Sequence, residues 1–566
     1  MQTNQSTFIT GLDFISNDAQ IVSSGYHFLV NARQRLGYIE PNKKVIELDH
    51  IPVGKKQGCI ALGNVLIVFV AGGAWYNIDG ELTWRKIPGL QMDTTVRLYS
   101  KAVPAGTVGY IRKLNADGTI SSPIREIYDF KVNGTPASVL VQDGINQPWI
   151  IIQEQLTNTF TARVTQNYSQ WINDGLHNEY VPIGKQMRIV DAKLIIVAPD
   201  GKSIYQSISG RYLDFMVNVD VNGNKLATES QGGASSVSFA FDADEITCIA
   251  DCSIPSSFMY CTARNTRIIT LDYTNEIFGE PQPYVAVIIV SGTVNNFSVL
   301  DILGDYAMID FEGIKSFNAV QQYKFEGRNS IFSLQISRIL GKIKQTRCNC
   351  ASFNNYAIFN LDTVYGNLFA VYDTILQKWV ALDVTTVGAV VEFALVETTT
   401  ETKIYAVTET DKLFQLYASD DTETPQLYTR AHTATVTDSN QNAALGLMYN
   451  QKSEYFKLYF QGGSEDGTVT MIEMVDGQKS NRQTKKLVTN LAGIKWPMQF
   501  PIIFNSLPTS EPITFNLKDG LKGHKLSYIV MWDTDAKLQA YELKTSDETP
   551  TVSKKQVERI LAEIYK

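Results

Sequence analysis

At 566 residues the chain is too long for one compact core, and two to four domains are expected. Its 44% hydrophobic and 19% charged residues exclude a disordered chain, while 27 Tyr and 26 Phe favour half-buried strands over helices. Acidic residues outnumber basic ones 58 to 50, for a net charge of -8, and no strong basic run appears, which argues against tight nucleic-acid binding through clustered Lys and Arg.

The first thirty residues lack the basic start and apolar core of a secretory signal. Residues 1–57 read as an N-terminal segment that contributes to the domain after it or to a docking surface. The uncharged stretch 58–78, GCIALGNVLIVFVAGGAWYNI, is almost long enough to span a bilayer. Gly63-Asn64 and Gly72-Gly73 break it, so two β-rich strands explain it better and no stable membrane association is expected.

From there the recurrent unit is strand, turn, strand. Turns fall at Asp117-Gly118, Asp200-Gly201, Arg264-Asn265, in GDYAMIDFEGIKSF (304–317), in YAIFNLDTVYGNLFAVYD (356–373) and in KIYAVTETDKLFQLY (403–417). The later turns recur at roughly 45 to 52 residues, the period of propeller blades with four short strands each. Residues 58–418 are therefore expected to form a β-propeller of six or seven blades, with a β-sandwich array as the competing arrangement. The gap between 118 and 200 is nearly double and holds Trp149 and Trp171. A weak extra blade or an insertion around 125–190 would fill it.

After the polar, acidic YASDDTETPQ (417–426) the texture changes, and strand patterns such as EYFKLYFQGG and HKLSYIVMW predict a β-sandwich-like domain over 426–548. A short amphipathic helix is predicted over 553–566. Ser553 and Gln556 form its capping box, and Val557, Ile560, Leu561 and Ile564 form one apolar stripe. Its target is its own domain or a neighbouring subunit.

Few constellations carry chemistry. There is no phosphate loop, no H-E-x-x-H and no nucleophile elbow, and His27, His50, His177, His432 and His524 lie far apart. The six cysteines form no C-x-x-C and read as reduced, buried thiols. Asp305, Asp310 and Glu312 resemble a carboxylate set for glycoside hydrolysis, but Asp310 and Glu312 flank the turn at Gly313, where acids are ordinary solvated turn formers. NVDVNGNKLATE (218–229) fits a calcium loop, with Asn218, Asp220, Asn222, Gly223 and Glu229 in ligand or turn positions. Asn at the first position removes a charge, and an Asn-Gly hairpin explains the same letters. No catalytic residue, metal ligand or cofactor is assigned.

Four successive segments carry a resemblance. MRIVDAKLIIVAPDGKSIYQSISGRYLDFM (187–216), ITCIADCSIPSSFMYCTARNTRIITLDY (246–273), the 304–340 stretch and CASFNNYAIFNLDTVYGNLFAVYDTILQKWVALD (350–383) resemble, in order, blades of podovirus tail nozzle proteins. These are the tail tubular protein B or tail hub (stabilisation) proteins of short-tailed bacteriophages. The resemblance covers roughly residues 185–385; residues 426–566 match nothing in it. It implies a structural virion protein assembled in the host cytoplasm as a ring of about six subunits. That ring would enclose the DNA exit channel, join the portal and adaptor to distal tail parts, and contact tail fibres, with genomic DNA only as passing cargo. The family supplies no catalytic residues. The competing readings are a propeller enzyme acting on glycans, such as a virion depolymerase, and a cellular propeller adaptor that binds a protein partner.

Overall fold

The computed structural model describes most of residues 25–103, 138–165, 180–215, 244–270, 291–316, 349–432, 451–488 and 512–547, and the backbone of further short strands. The chain is mainly β, built from many small antiparallel sheets. The predicted terminal helix and the calcium-like loop lie outside the described residues. No described helix is long and apolar enough to cross a membrane.

Seven small sheets follow one another along the described chain, and each begins with a strand at one of its edges. Those strands are Lys56–Leu62, Tyr99–Val103, Met187–Val190, Ile246–Asp251, Val299–Ile302, Asn349–Phe353 and Val390–Glu397. Among the described residues six sheets have four strands, and the fifth has three. The seventh is completed from far upstream, where Ile46–Glu47 pairs with Phe414 and Gln415.

Alternating side chains explain how the sheets stack. In Val65–Val70 all six residues are buried. Val65, Ile67 and Phe69 pack with Val139 and Val141 of the second sheet, whereas Leu66, Val68 and Val70 pack with Tyr405 and Val407 of the seventh. In the third sheet, Leu194 and Ile196 face the second sheet, and Ile195 and Val197 face the fourth. Met259 and Cys261 of the fourth sheet meet Tyr306 and Met308 of the fifth. Ile358 of the sixth packs toward the seventh, with Ile404 and Ala406. The packing thus runs from sheet to sheet and returns from the seventh to the first. A strand buried on both faces loses the apolar/polar alternation that marks a half-exposed one.

The turns are the ones the residues require. Asp200 Oδ1 accepts the N–H groups of Lys202 and Ser203, and Gly201 takes φ +70, closing the hairpin whose strands pair Val197 with Ile204. Ala71 and Gly72, at φ 48 and 77, form the primed turn that joins Val65–Val70 to Gly73–Ile78. The doubled gap between 118 and 200 holds the strands Ser138–Gln142, Trp149–Gln153 and Phe160–Val164 of the second sheet. The excursion from that sheet lies earlier and carries its own hairpin, Val108–Ile111 with Ile124–Ile127.

Beyond these and a few two-stranded hairpins, two six-stranded sheets make up the rest of the described strands. One contains Gln451–Gln461, Lys537–Asp547 and Ile513–Asn516; the other contains Gln426–Thr429, Leu526–Trp532, Gly467–Val475 and Gln478–Leu487. Here the alternation is clean, with every second residue of Leu526–Trp532 buried. Phe456, Leu458, Phe460, Tyr541 and Leu543 share one core with Met471, Tyr528, Val530 and Trp532. That core continues into Phe359, Tyr372 and Trp379 of the sixth sheet.

The start of the chain departs from the sequence-based division. Gln2–Thr7, Ala32–Arg35 and Tyr38–Pro41 join the sheet of Lys537–Asp547, and Gly25–Val30 pairs with Gln426–Thr429. Within 1–57 the seven-sheet series receives Ile46–Glu47 and the beginning of its first strand. The partners of these early strands are about four to five hundred residues away in sequence, beyond any local pattern.

Candidate functional site

The first strands of the first four sheets and of the seventh, with Asn296 and Phe297 from the loop before the fifth, line a cavity of ≈390 Å³ whose wall includes Cys59, Tyr99, Lys101, Arg188 and Glu392. A second cavity of ≈400 Å³ lies at the starting ends of the same strands, with Lys56, Gln57, Arg97, Asn349 and Asp411 in its wall. Arg97 lines the second and Glu392 the first, so their ion pair (Nη2 to Oε2 3.8 Å) stands between the two.

This plug is well held. The Arg97 guanidinium lies over the Phe297 ring, its Cζ 3.8 Å from the centroid, and Nη2 donates to the Val391 carbonyl. Glu392 Oε2 accepts the Cys59 N–H at 3.0 Å. Burial pushes the Glu392 carboxyl up to about 7, with Arg97 and the Cys59 N–H pulling back only part of that shift. Gln57, which is buried, accepts the Gly72 N–H and donates to the carbonyls of Asp93 and Val96.

Gly58 makes the approach possible. A Cβ there would sit 2.8 Å from Glu392 Oε2 and 2.9 Å from the Leu98 carbonyl oxygen, and its φ of +153 disfavours a side chain. Gly58→Ala is expected to cost about 1–3 kcal/mol by overpacking. The melting midpoint of the purified variant checks this, and an unchanged midpoint would show that the plug has slack.

A third cavity, ≈620 Å³, lies where the early strands meet the sixth and seventh sheets. Arg33, 6% exposed, donates to both oxygens of Asp383 at 2.9 and 2.6 Å. Asn42 Nδ2 donates to Asp383 Oδ1, and the Tyr417 hydroxyl accepts from Arg33 and donates to Asp383 Oδ2. Arg35 donates to Glu40 and to the Tyr356 hydroxyl. The Arg33 guanidinium is held well above its usual range, Asp383 and Tyr417 outweighing burial. With these guanidinium groups already paired, the arrangement latches two parts of the chain together.

The carboxylates singled out in the sequence make local contacts around the Gly313 hairpin. Asp310 is 4% exposed. Its Oδ2 takes the Ser291 hydroxyl at 2.6 Å and the Lys315 ammonium at 2.7 Å, and its Oδ1 accepts the N–H groups of Glu312 and Gly313. This corrects the expectation of a solvated turn acid: its role is structural, but it is buried and paired. Glu312 is exposed and shares Lys315, and Asp305 accepts the Tyr306 N–H. Among the described residues no group of three or more His, Cys, Asp or Glu could hold a metal ion. The six cysteines are free, with Cys248 directly opposite Cys261 on neighbouring strands.

Sequence reasoning missed Arg97, Lys101, Arg188 and Glu392. The available signal was a charge inside an apolar strand, as in YSKAV and VVEFALVE. No family model matches the chain, and no curated protein matches it. A solved structure of the computationally designed Ika8 protein aligns with 66% of this chain and 99% of its own length, at 11% identity and a TM-score of 0.33. That likeness is too weak to carry a fold or a function.

Proposed function

We propose that the seven sheets form a seven-bladed β-propeller capped by a β-sandwich, and that the chain is a structural, non-catalytic subunit of a ring in a short phage tail. The observation that carries this reading is a coincidence of boundaries. The stretch that resembles tail nozzle blades, roughly 185–385, corresponds to the third through sixth sheets, Met187 to Val384. The consumption of Asp310 by Ser291 and Lys315 favours a scaffold over a glycan-cleaving enzyme.

The plug also bears on where DNA would pass. A cavity of ≈390 Å³ closed by Arg97, Phe297 and Glu392 cannot admit a duplex whose major groove alone is about 12 Å wide. The exit channel therefore lies between subunits, on the axis of a ring of about six, and the net charge of -8 keeps phosphate from adhering to such a passage. Portal and adaptor proteins on one side and distal tail parts on the other are the proposed neighbours. Gold-labelled antibodies raised against the chain should mark the tails of intact virions. Labelling of heads alone, or of no virion component, would overturn the reading.

A further inference from the structure

The central cavity holds more positive charge than its plug uses. Lys101, on the first strand of the second sheet, and Arg188, on that of the third, both line it. Arg188 donates Nε to the Ile249 carbonyl at 3.0 Å, and its Nη1 is 3.9 Å from Asp251 Oδ2, a carboxylate 55% exposed. Lys101 has no hydrogen bond or ion pair among the described residues. The hydroxyl of Ser100, also in the cavity wall, is buried without a hydrogen-bond partner.

The pairing in the wall is uneven. Glu392 is taken up by Arg97, and Asp251, the carboxylate nearest Arg188, is 55% exposed, which leaves Lys101 without a hydrogen-bonded partner among the described residues. Burial and the like charge of Arg188 weaken the hold of Lys101 on its proton, with Asp251 offsetting part of this. An unpaired, desolvated ammonium is costly unless something supplies the missing negative charge. The rest of the wall is largely apolar, with Met187, Ile249, Phe297, Phe393 and Leu395. A volume of ≈390 Å³ falls in the range of small-ligand sites, which pair an apolar wall with a few convergent polar groups.

We infer that the central cavity binds a small oxyanion, a carboxylate or phosphate of a free small molecule, held by the Lys101 ammonium, the Ser100 hydroxyl and the Arg188 guanidinium. Charge-assisted hydrogen bonds from a point donor and a planar fork suit either oxyanion. The site depends on these first strands alone and not on the tail reading, so either can fail without the other.

The test uses the full chain in chloride buffer at constant ionic strength, titrated with inorganic phosphate or acetate and read by calorimetry and melting midpoint. The expected result is a saturable rise in the midpoint of the wild type with either probe. A response to phosphate alone assigns a phosphoryl ligand, and a response to acetate as well assigns carboxylates. Lys101→Met and Arg188→Gln should each weaken binding about tenfold or more, the loss of one charge-assisted contact. Lys101→Met should also melt higher than the wild type in the absence of anion, because it removes a half-buried charge that has no hydrogen-bonded partner among the described residues. Equal responses in wild type and variants, no response in the wild type, or a Lys101→Met protein that melts lower without anion would each overturn the site.

Discussion

Replacing Asp383 with Ala should lower stability by about 3–5 kcal/mol, the usual cost of stranding one partner of a buried ion pair. Arg33 would be left buried without its bidentate acceptor, and Asn42 and Tyr417 would each lose a hydrogen-bond partner. The latch joins the early strand Ala32–Arg35 to the end of the sixth sheet, at Lys378–Val384. Its loss should therefore loosen the two-sheet body from the seven-sheet series. Scanning calorimetry should show a lower-temperature transition splitting from the main one, because a chain this long need not unfold in one step. The double variant Arg33→Met/Asp383→Leu should recover much of the loss, since an apolar pair of similar volume carries no desolvation cost. A single-variant loss below about 1 kcal/mol would mean that the pair contributes no more than an exposed one.

Acid should destabilise the two-sheet body through one residue, His432. It is buried beside Tyr528 and Tyr541, with Nε2 3.3 Å from the Tyr541 hydroxyl. Burial, helped by the charge of Arg430, pulls its pKa down from 6.5 to about 3. Between those values the unfolded chain takes up a proton that the folded chain refuses. The contribution is constant above pH 6.5 and is lost as pH falls toward 3, amounting to about 2 kcal/mol by pH 5. Glu392, whose carboxyl is raised by burial to about 7, acts in the opposite direction between about 4.5 and 7, and Glu473, also raised by burial, acts in the same sense as Glu392. The informative quantity is therefore the difference between variants. His432→Phe should lose less stability than the wild type from pH 7 to pH 5, by about 2 kcal/mol in chemical denaturation. Parallel curves for the two proteins would show that His432 takes a proton in place.

The hairpins were the most legible part of the sequence, for a local reason. Asp200-Gly201 closes its turn with its own side chain and a positive φ, and nothing distant is needed. The strands of the two-sheet body were legible too, because Leu526–Trp532 buries every second residue. What could not be read depends on partners far along the chain. Gln2 pairs with Thr545 and Tyr26 with Thr429, and the closing strand Ile46–Glu47 is two exposed residues with no pattern of its own. The same distance hid the plug, since Arg97 and Glu392 are nearly three hundred residues apart. Asp310 was misjudged in its surroundings: the sequence displays the turn at Gly313, but not the Ser291 hydroxyl that arrives from another loop.

The proposed place of this chain in a tail ring is tested most directly by mixing it with the tail-ring and portal proteins of its own virion and measuring mass and negative-stain images. The expected result is a complex containing about six copies, with a central hole that lies between subunits and not through any one of them. A chain that stays monomeric and ignores those proteins would contradict the account.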